Sequence, residues 1–318
     1  MLRVFSNKRL KVAVKWSVLL VATGYLFIFS EFINVFSLFE NIVIEFFVLF
    51  MLFSLFNRAF NAYRIKQIAD ILQRSNELGF FSSFRILLFS EFVSVVIPTT
   101  YSAELVRTFK LSQYNLSLKK TTLAILVDRS IGLLFLCIGT LVAFLVSNYK
   151  LANFLGEEVF HTIYLVILVT FFFLIIVIYR FRRLFSEFAF KFKQWLALDE
   201  IVKVSLVSFS SFGTGVISYY FAFVAAGVEL SFVHIIFIVF MSFIGRLVPF
   251  SILGVSAGEI ALVVVSEGFG VSHELALFTA MIVILSKYLF SAIGFLTEIY
   301  LDGVSVVAEH LKKAAKSI

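Results

Sequence analysis

The sequence predicts an all-α polytopic membrane protein, with about six membrane-crossing helices plus two re-entrant helical hairpins, and three observations carry that expectation. Of the 318 residues 61% are hydrophobic and only 15% charged, and the mean hydropathy is +1.03, far above the roughly 45–50% apolar content of soluble domains. Several stretches reach the length of about 20 apolar residues that a helix needs to cross the hydrocarbon core. These stretches are apolar on every side instead of alternating, which selects helices over barrel strands.

Full spans are expected at roughly 12–30, 41–58, 121–147, 159–180, 204–227 and 276–300. The basic start from Arg3 to Lys15 resembles a signal peptide. Its apolar run is long enough to span and no A-x-A site follows, so it reads as a retained first helix. Lys and Arg cluster at the start, between Arg58 and Arg85, at Arg107–Lys120, at Arg180–Lys203 and in the tail, whereas 31–40, 148–158, 228–231 and 266–275 are acidic apart from Lys150. The positive-inside rule places the basic stretches and both termini in the cytoplasm of an inner-membrane protein. The stretch 181–201 mixes Arg, Lys and Phe like an interfacial helix.

Two further apolar stretches, roughly 80–97 and 232–248, break this alternation if they cross completely. Segments 80–118 and 232–270 are therefore expected to enter and leave on one face each, the first from the cytoplasm and the second from outside. The single domain 1–318 then divides into inverted repeats of roughly 1–150 and 151–318, an architecture of transporters. The only two prolines, Pro98 and Pro249, fall at the hairpin turns.

The first turn reads Pro98-Thr-Thr-Tyr-Ser102-Ala-Glu104-Leu-Val-Arg107. Proline ends the entering limb. Ser102 is placed to cap the returning one, with Glu104 in its positive first turn. Glu104 and Arg107 share a helix face. The second turn carries Pro249, Gly254, Ser256, Gly258 and Glu259, and Ser256-x-x-Glu259 has capping-box spacing. Both glutamates can be simple caps. Ionised groups at bilayer depth cost about 2.5–3.5 kcal/mol each on the lenient scale, however, which favours a polar cavity. Asp128 and Arg129 point about 100° apart on a helix and are expected to pair with other helices. Arg246 and Lys287 are candidates to meet a phosphate-bearing head group, and Glu45 and Glu91 read as interfacial. Ser211-x-x-x-Gly215 reads as a close-packing helix face.

Other chemistry finds no constellation. Cys137 is the sole cysteine and the four histidines are scattered, so no disulfide, metal site or cofactor is expected. Dispersed basic clusters do not suit nucleic acid. No nucleophile elbow, Walker A, GxGxxG or HExxH motif occurs, so no catalytic residue is expected.

At its two turns the chain resembles the lysylphosphatidylglycerol synthase transmembrane region, the flippase-like membrane family. Pro98, Glu104 and Arg107 match that family's first motif with a slightly longer gap, Asp128-Arg129 stands for its Glu-Arg pair, and Pro249, Gly254 and Glu259 match its second. Lys287 falls where the family often has arginine. Ala103 replaces the first motif's glycine, while Ser256 and Gly258 replace the second's last glycine and its arginine. The resemblance implies a lipid-translocating module. As substrate-binding residues, Arg107, Arg129, Arg246 and Lys287 are expected to bind phosphate, and Glu104, Asp128 and Glu259 to balance them or bind a cationic head. Some members add a soluble aminoacyl-transfer domain, and synthase activity is not expected of this chain. The expected cargo is a charged-head lipid, such as a modified phospholipid or a polyprenyl-phosphate-linked glycan. Membrane lipids are the expected partners, with envelope-biosynthesis enzymes as further candidates. The alternatives are an accessory subunit of an envelope glycolipid or polysaccharide pathway, and a membrane-embedded transferase.

Overall fold

A computed structural model describes residues 38–73, 78–97, 102–114, 117–155, 198–247, 251–252 and 255–303. The expected spans 12–30 and 159–180, the interfacial stretch 181–201 up to residue 197, and Pro98, Pro249 and Gly254 lie outside the described residues, and the last four residues of that stretch begin the helix from Leu198. The described part holds helices α1 (Ile44–Gln73), α2 (Phe80–Val96), α3 (Ser102–Ser112), α4 (Leu118–Leu155), α5 (Leu198–Ala225), α6 (Phe232–Gly245), α7 (Ala257–Gly268) and α8 (His273–Asp302). The protein is an all-α polytopic membrane protein, and α1, α4, α5 and α8 are each long and apolar enough to span. The exception to helix is a two-residue antiparallel ladder before α7, with β1 (Ser251–Ile252) pairing to β2 (Val255–Ser256). Exposed Val48, Leu52, Leu126, Leu134, Phe209, Ile293 and Leu296 coat the long helices, a surface that water disfavours and lipid accepts.

One element departs clearly from expectation. The second span was bounded at 58 because charges follow it, yet α1 continues unbroken to Gln73 through Arg58, Arg64, Lys66 and Asp70. Those charges are satisfied inside the protein: Lys66 pairs with Asp70 one turn on at 2.6 Å, and the two arginines reach carboxylates on other helices.

Hydrocarbon gives apolar side chains little reason to leave it, so helix association rests on close packing and small residues. α1 and α5 form the most extensive contact and run antiparallel: the Val43 N–H, just before α1, donates to the last residue of α5, Ala225 (3.1 Å). At the other end Ile68 and Leu72 pack with Val204. Near the middle Asn57 Nδ2 donates to the Ser211 carbonyl at 2.6 Å, and a Cβ on Gly215 would lie 3.1 Å from the same amide. The Ser211–Gly215 face thus packs closely, as the small-residue spacing predicts.

Gly139 of α4 lies against the Phe240 ring of α6, and Gly294 of α8 lies against the Leu88 backbone of α2, in both cases with no room for a Cβ. Gly139 and Gly294 each stand 21 residues after the first residue of their helices. Leu88 and Phe240 each stand 8 residues after theirs, and Asn57 and Ser211 each 13. These three contacts therefore map onto one another when α1–α4 are exchanged for α5–α8.

The four shorter helices come in two pairs. α2 packs on α3 and α6 on α7. Arg85 near the start of α2 and Lys110 near the end of α3 both reach Glu298 and Asp302 at the end of α8. His234 at the start of α6 stacks on Phe269 at the end of α7 (4.5 Å), next to the start of α8. The outer ends of each pair thus lie together, at opposite ends of α8. At 1.5 Å per residue the longest of the four, the 17-residue α2, measures about 25 Å.

Candidate functional site

Between these pairs the inward-facing charges form a line. On the first side Asp128 accepts from Arg64 Nε at 2.6 Å, and both are buried. Its neighbour Arg129 turns the other way and pairs with Glu104 in the first turn of α3. Arg107, 8% exposed, donates from Nε to Ser90 Oγ at 2.7 Å. It interacts electrostatically with Arg129, Glu104, Asp128 and Glu91. Glu91 in turn accepts from Arg58 Nε at 3.0 Å, and the Arg58 guanidinium lies 4.2 Å over the Phe290 ring.

The second side centres on the start of α7. Ser256 and Glu259 close a reciprocal capping box. Glu259 accepts from the Ser256 N–H at 2.7 Å and from its hydroxyl at 2.5 Å, and Ser256 Oγ accepts from the Gly258 N–H at 3.2 Å. The other oxygen of Glu259 accepts from Arg246 at 3.0 Å, and Arg246 also donates to the Tyr219 hydroxyl. Gly258 is required here, because a Cβ would meet the Ser242 carbonyl at 2.6 Å and the Arg246 side chain. Lys287 interacts electrostatically with Glu259 and Arg246 on this side, and with Glu91 and Arg58 on the other.

Lys287 thus stands within electrostatic range of both turn sites. Six cations (Arg58, Arg64, Arg107, Arg129, Arg246, Lys287) stand with four carboxylates (Glu91, Glu104, Asp128, Glu259), a formal charge of +2 for the set. Such a density of charge at span depth is held by mutual pairing, and its positive balance suits an anionic group.

The match to the family model of the lysylphosphatidylglycerol synthase TM region runs over residues 12–294. The chain belongs to that family. Comparison with curated proteins gives no match. Both matched motif regions, around Glu104 and Glu259, lie within the family match, and the structure places the two glutamates alike, each at the third position of its helix.

Every residue expected to bind substrate in this family member is on the charged line, with some partners differing from those expected. Glu104 pairs with Arg129, not with Arg107 on its own helix face, because the α4 guanidinium reaches it directly. Ser102 is the first helical residue of α3, and the position before it lies outside the described residues. Glu91 accepts from Arg58 and so ties α2 to α1 beside Arg107. Glu45 lies exposed in the first turn of α1. Arg58, Arg64 and Tyr219 were missed; six residues on a helix set the two arginines about 120° apart, so their spacing marks no common face, and the one local signal is the apolar run that leads straight into them. Among the described residues no His, Cys, Asp and Glu group is placed to hold a metal ion.

Proposed function

We propose that this protein is a flippase-like translocator that moves a charged-head lipid between the leaflets of the cytoplasmic membrane. The observation that carries the reading is the set of paired charges at the α3 and α7 turns, with the Arg58–Glu91 pair beside the first and Lys287 within electrostatic range of both. A head group crossing hydrocarbon loses its hydration, and fixed charges and helix N-termini replace what is lost. α2–α3 and α6–α7 are read as re-entrant hairpins, since each has both outer ends at one end of the bundle and no helix in either reaches about 30 Å. The exchange symmetry of the glycine contacts and the antiparallel α1–α5 pair support inverted repeats, so one hairpin would open toward each face. Acyl chains would stay in lipid along the exposed apolar faces. No bond is made or broken in this reading, and both termini are cytoplasmic.

Reconstituted in liposomes, the protein is expected to speed transbilayer exchange of a head-group-labelled phospholipid, read by loss of signal to an impermeant quencher. Exchange of anionic, zwitterionic and polyprenyl-phosphate lipids no faster than in protein-free vesicles would remove the translocator reading in favour of an accessory subunit.

A further inference from the structure

The charge balance of the site selects among charged lipids, an inference that rests on the reading just given and extends it to the substrate class. We propose that the head group seated here carries a phosphate monoester or diphosphate, with Arg107 as its central contact, and that a cationic aminoacyl head group is bound less tightly. Arg58, Arg64, Arg129 and Arg246 each have a direct carboxylate partner. Arg107 differs: among the described residues it makes no ion pair, and its one hydrogen bond goes to a neutral serine. A guanidinium that is 8% exposed and lacks a direct carboxylate is costly in a low-dielectric interior, and an anion beside it removes that cost. Arg129 interacts electrostatically with Arg107 from the neighbouring helix and is half exposed, so the two can approach one phosphate from two sides, with forks suited to its oxygens.

Most of the carboxylates that could welcome an amine are engaged. Glu259 is closed into its capping box and held by Arg246, Asp128 by Arg64 and Glu91 by Arg58, while Glu104 is held by Arg129 through one oxygen and its other oxygen is buried without a hydrogen-bond partner among the described residues. Arg107 also has no twin. The equivalent position in α7, five residues after its first, is Leu262, so the phosphate seat lies on the α3 side.

The test measures binding to the purified chain in a neutral detergent, without any bilayer crossing. Phosphatidic acid, a polyprenyl monophosphate, phosphatidylcholine, lysyl-phosphatidylglycerol and inorganic phosphate are titrated, and binding is read by thermal stabilisation and by phosphorus NMR. Both lipid monophosphates are expected to bind at least about tenfold more tightly than phosphatidylcholine or lysyl-phosphatidylglycerol, as a charge-assisted contact implies. Inorganic phosphate alone matching the lipids would assign the seat to the free ion and overturn the lipid class. Arg107→Gln is expected to remove the preference and Arg107→Lys to keep part of it. If Arg107→Gln does not fold, the wild-type preference and Arg107→Lys decide. Equal binding of lysyl-phosphatidylglycerol, or an undiminished preference in either Arg107 variant, overturns the proposal. Selective binding without exchange in liposomes would sink translocation and leave this inference standing, and exchange without phosphate preference would do the reverse.

Discussion

Asp128→Asn is expected to lower the stability of the purified protein by about 3–5 kcal/mol, because it leaves Arg64 charged and buried without its partner. Asp128 is 3% and Arg64 6% exposed, and their 2.6 Å contact ties α4 to α1. Replacing both, as Arg64→Met with Asp128→Leu, should recover most of the loss, since removing a whole buried pair is often neutral. Thermal or denaturant unfolding in detergent measures both. A loss for Asp128→Asn within the roughly 0.5 kcal/mol of an ordinary surface change would mean that the pair is solvated.

Glu259→Gln separates capping from charge. Glutamine keeps the side-chain acceptor that closes the box to the Ser256 N–H, so helix α7 should hold and the protein should purify folded. Arg246 and Lys287 lose a facing negative charge, and the formal excess of the line rises by one. An anionic head would then be held more tightly and passed on more slowly. Lipid exchange is expected to fall at least about tenfold, the effect of roughly 1.4 kcal/mol on a barrier, while Glu259→Ala adds about 1 kcal/mol of destabilisation from the lost cap. Full exchange by a folded Glu259→Gln protein would leave the glutamate as a cap alone.

Much of this was legible in residue order, for reasons that are local. The capping box at Ser256 and Glu259 is written in a three-residue spacing, and the divergence of Asp128 and Arg129 follows from helix geometry alone. The ends of α2 and α6 could be read because apolar runs there stop short of a full span. What failed depends on partners distant in sequence. Hydropathy treats Arg58 and Arg64 as the end of a span, since nothing in their neighbourhood shows that Glu91 and Asp128 wait on other helices. Glu104 and Arg107 face each other on a helical wheel, yet the guanidinium that reaches Glu104 comes from α4. Gly139 and Gly294 carry no local mark either, because their importance lies in the ring and backbone packed against them.

The central claim is that the two hairpins enter from opposite faces and meet across one charged line, and side-specific thiol labelling tests it most directly. In a Cys137→Ser background, single cysteines replace exposed Gly79 and Lys119, which bracket α2–α3, and exposed Glu229 and Glu274, which bracket α6–α7. Right-side-out and inverted membrane vesicles are treated with an impermeant reagent. Positions 79 and 119 are expected to label together from the cytoplasmic face, and positions 229 and 274 together from the opposite face. Labelling of 79 and 119 from different faces would mean that α2–α3 crosses the membrane, which would contradict the inverted hairpins and the head-group path built on them.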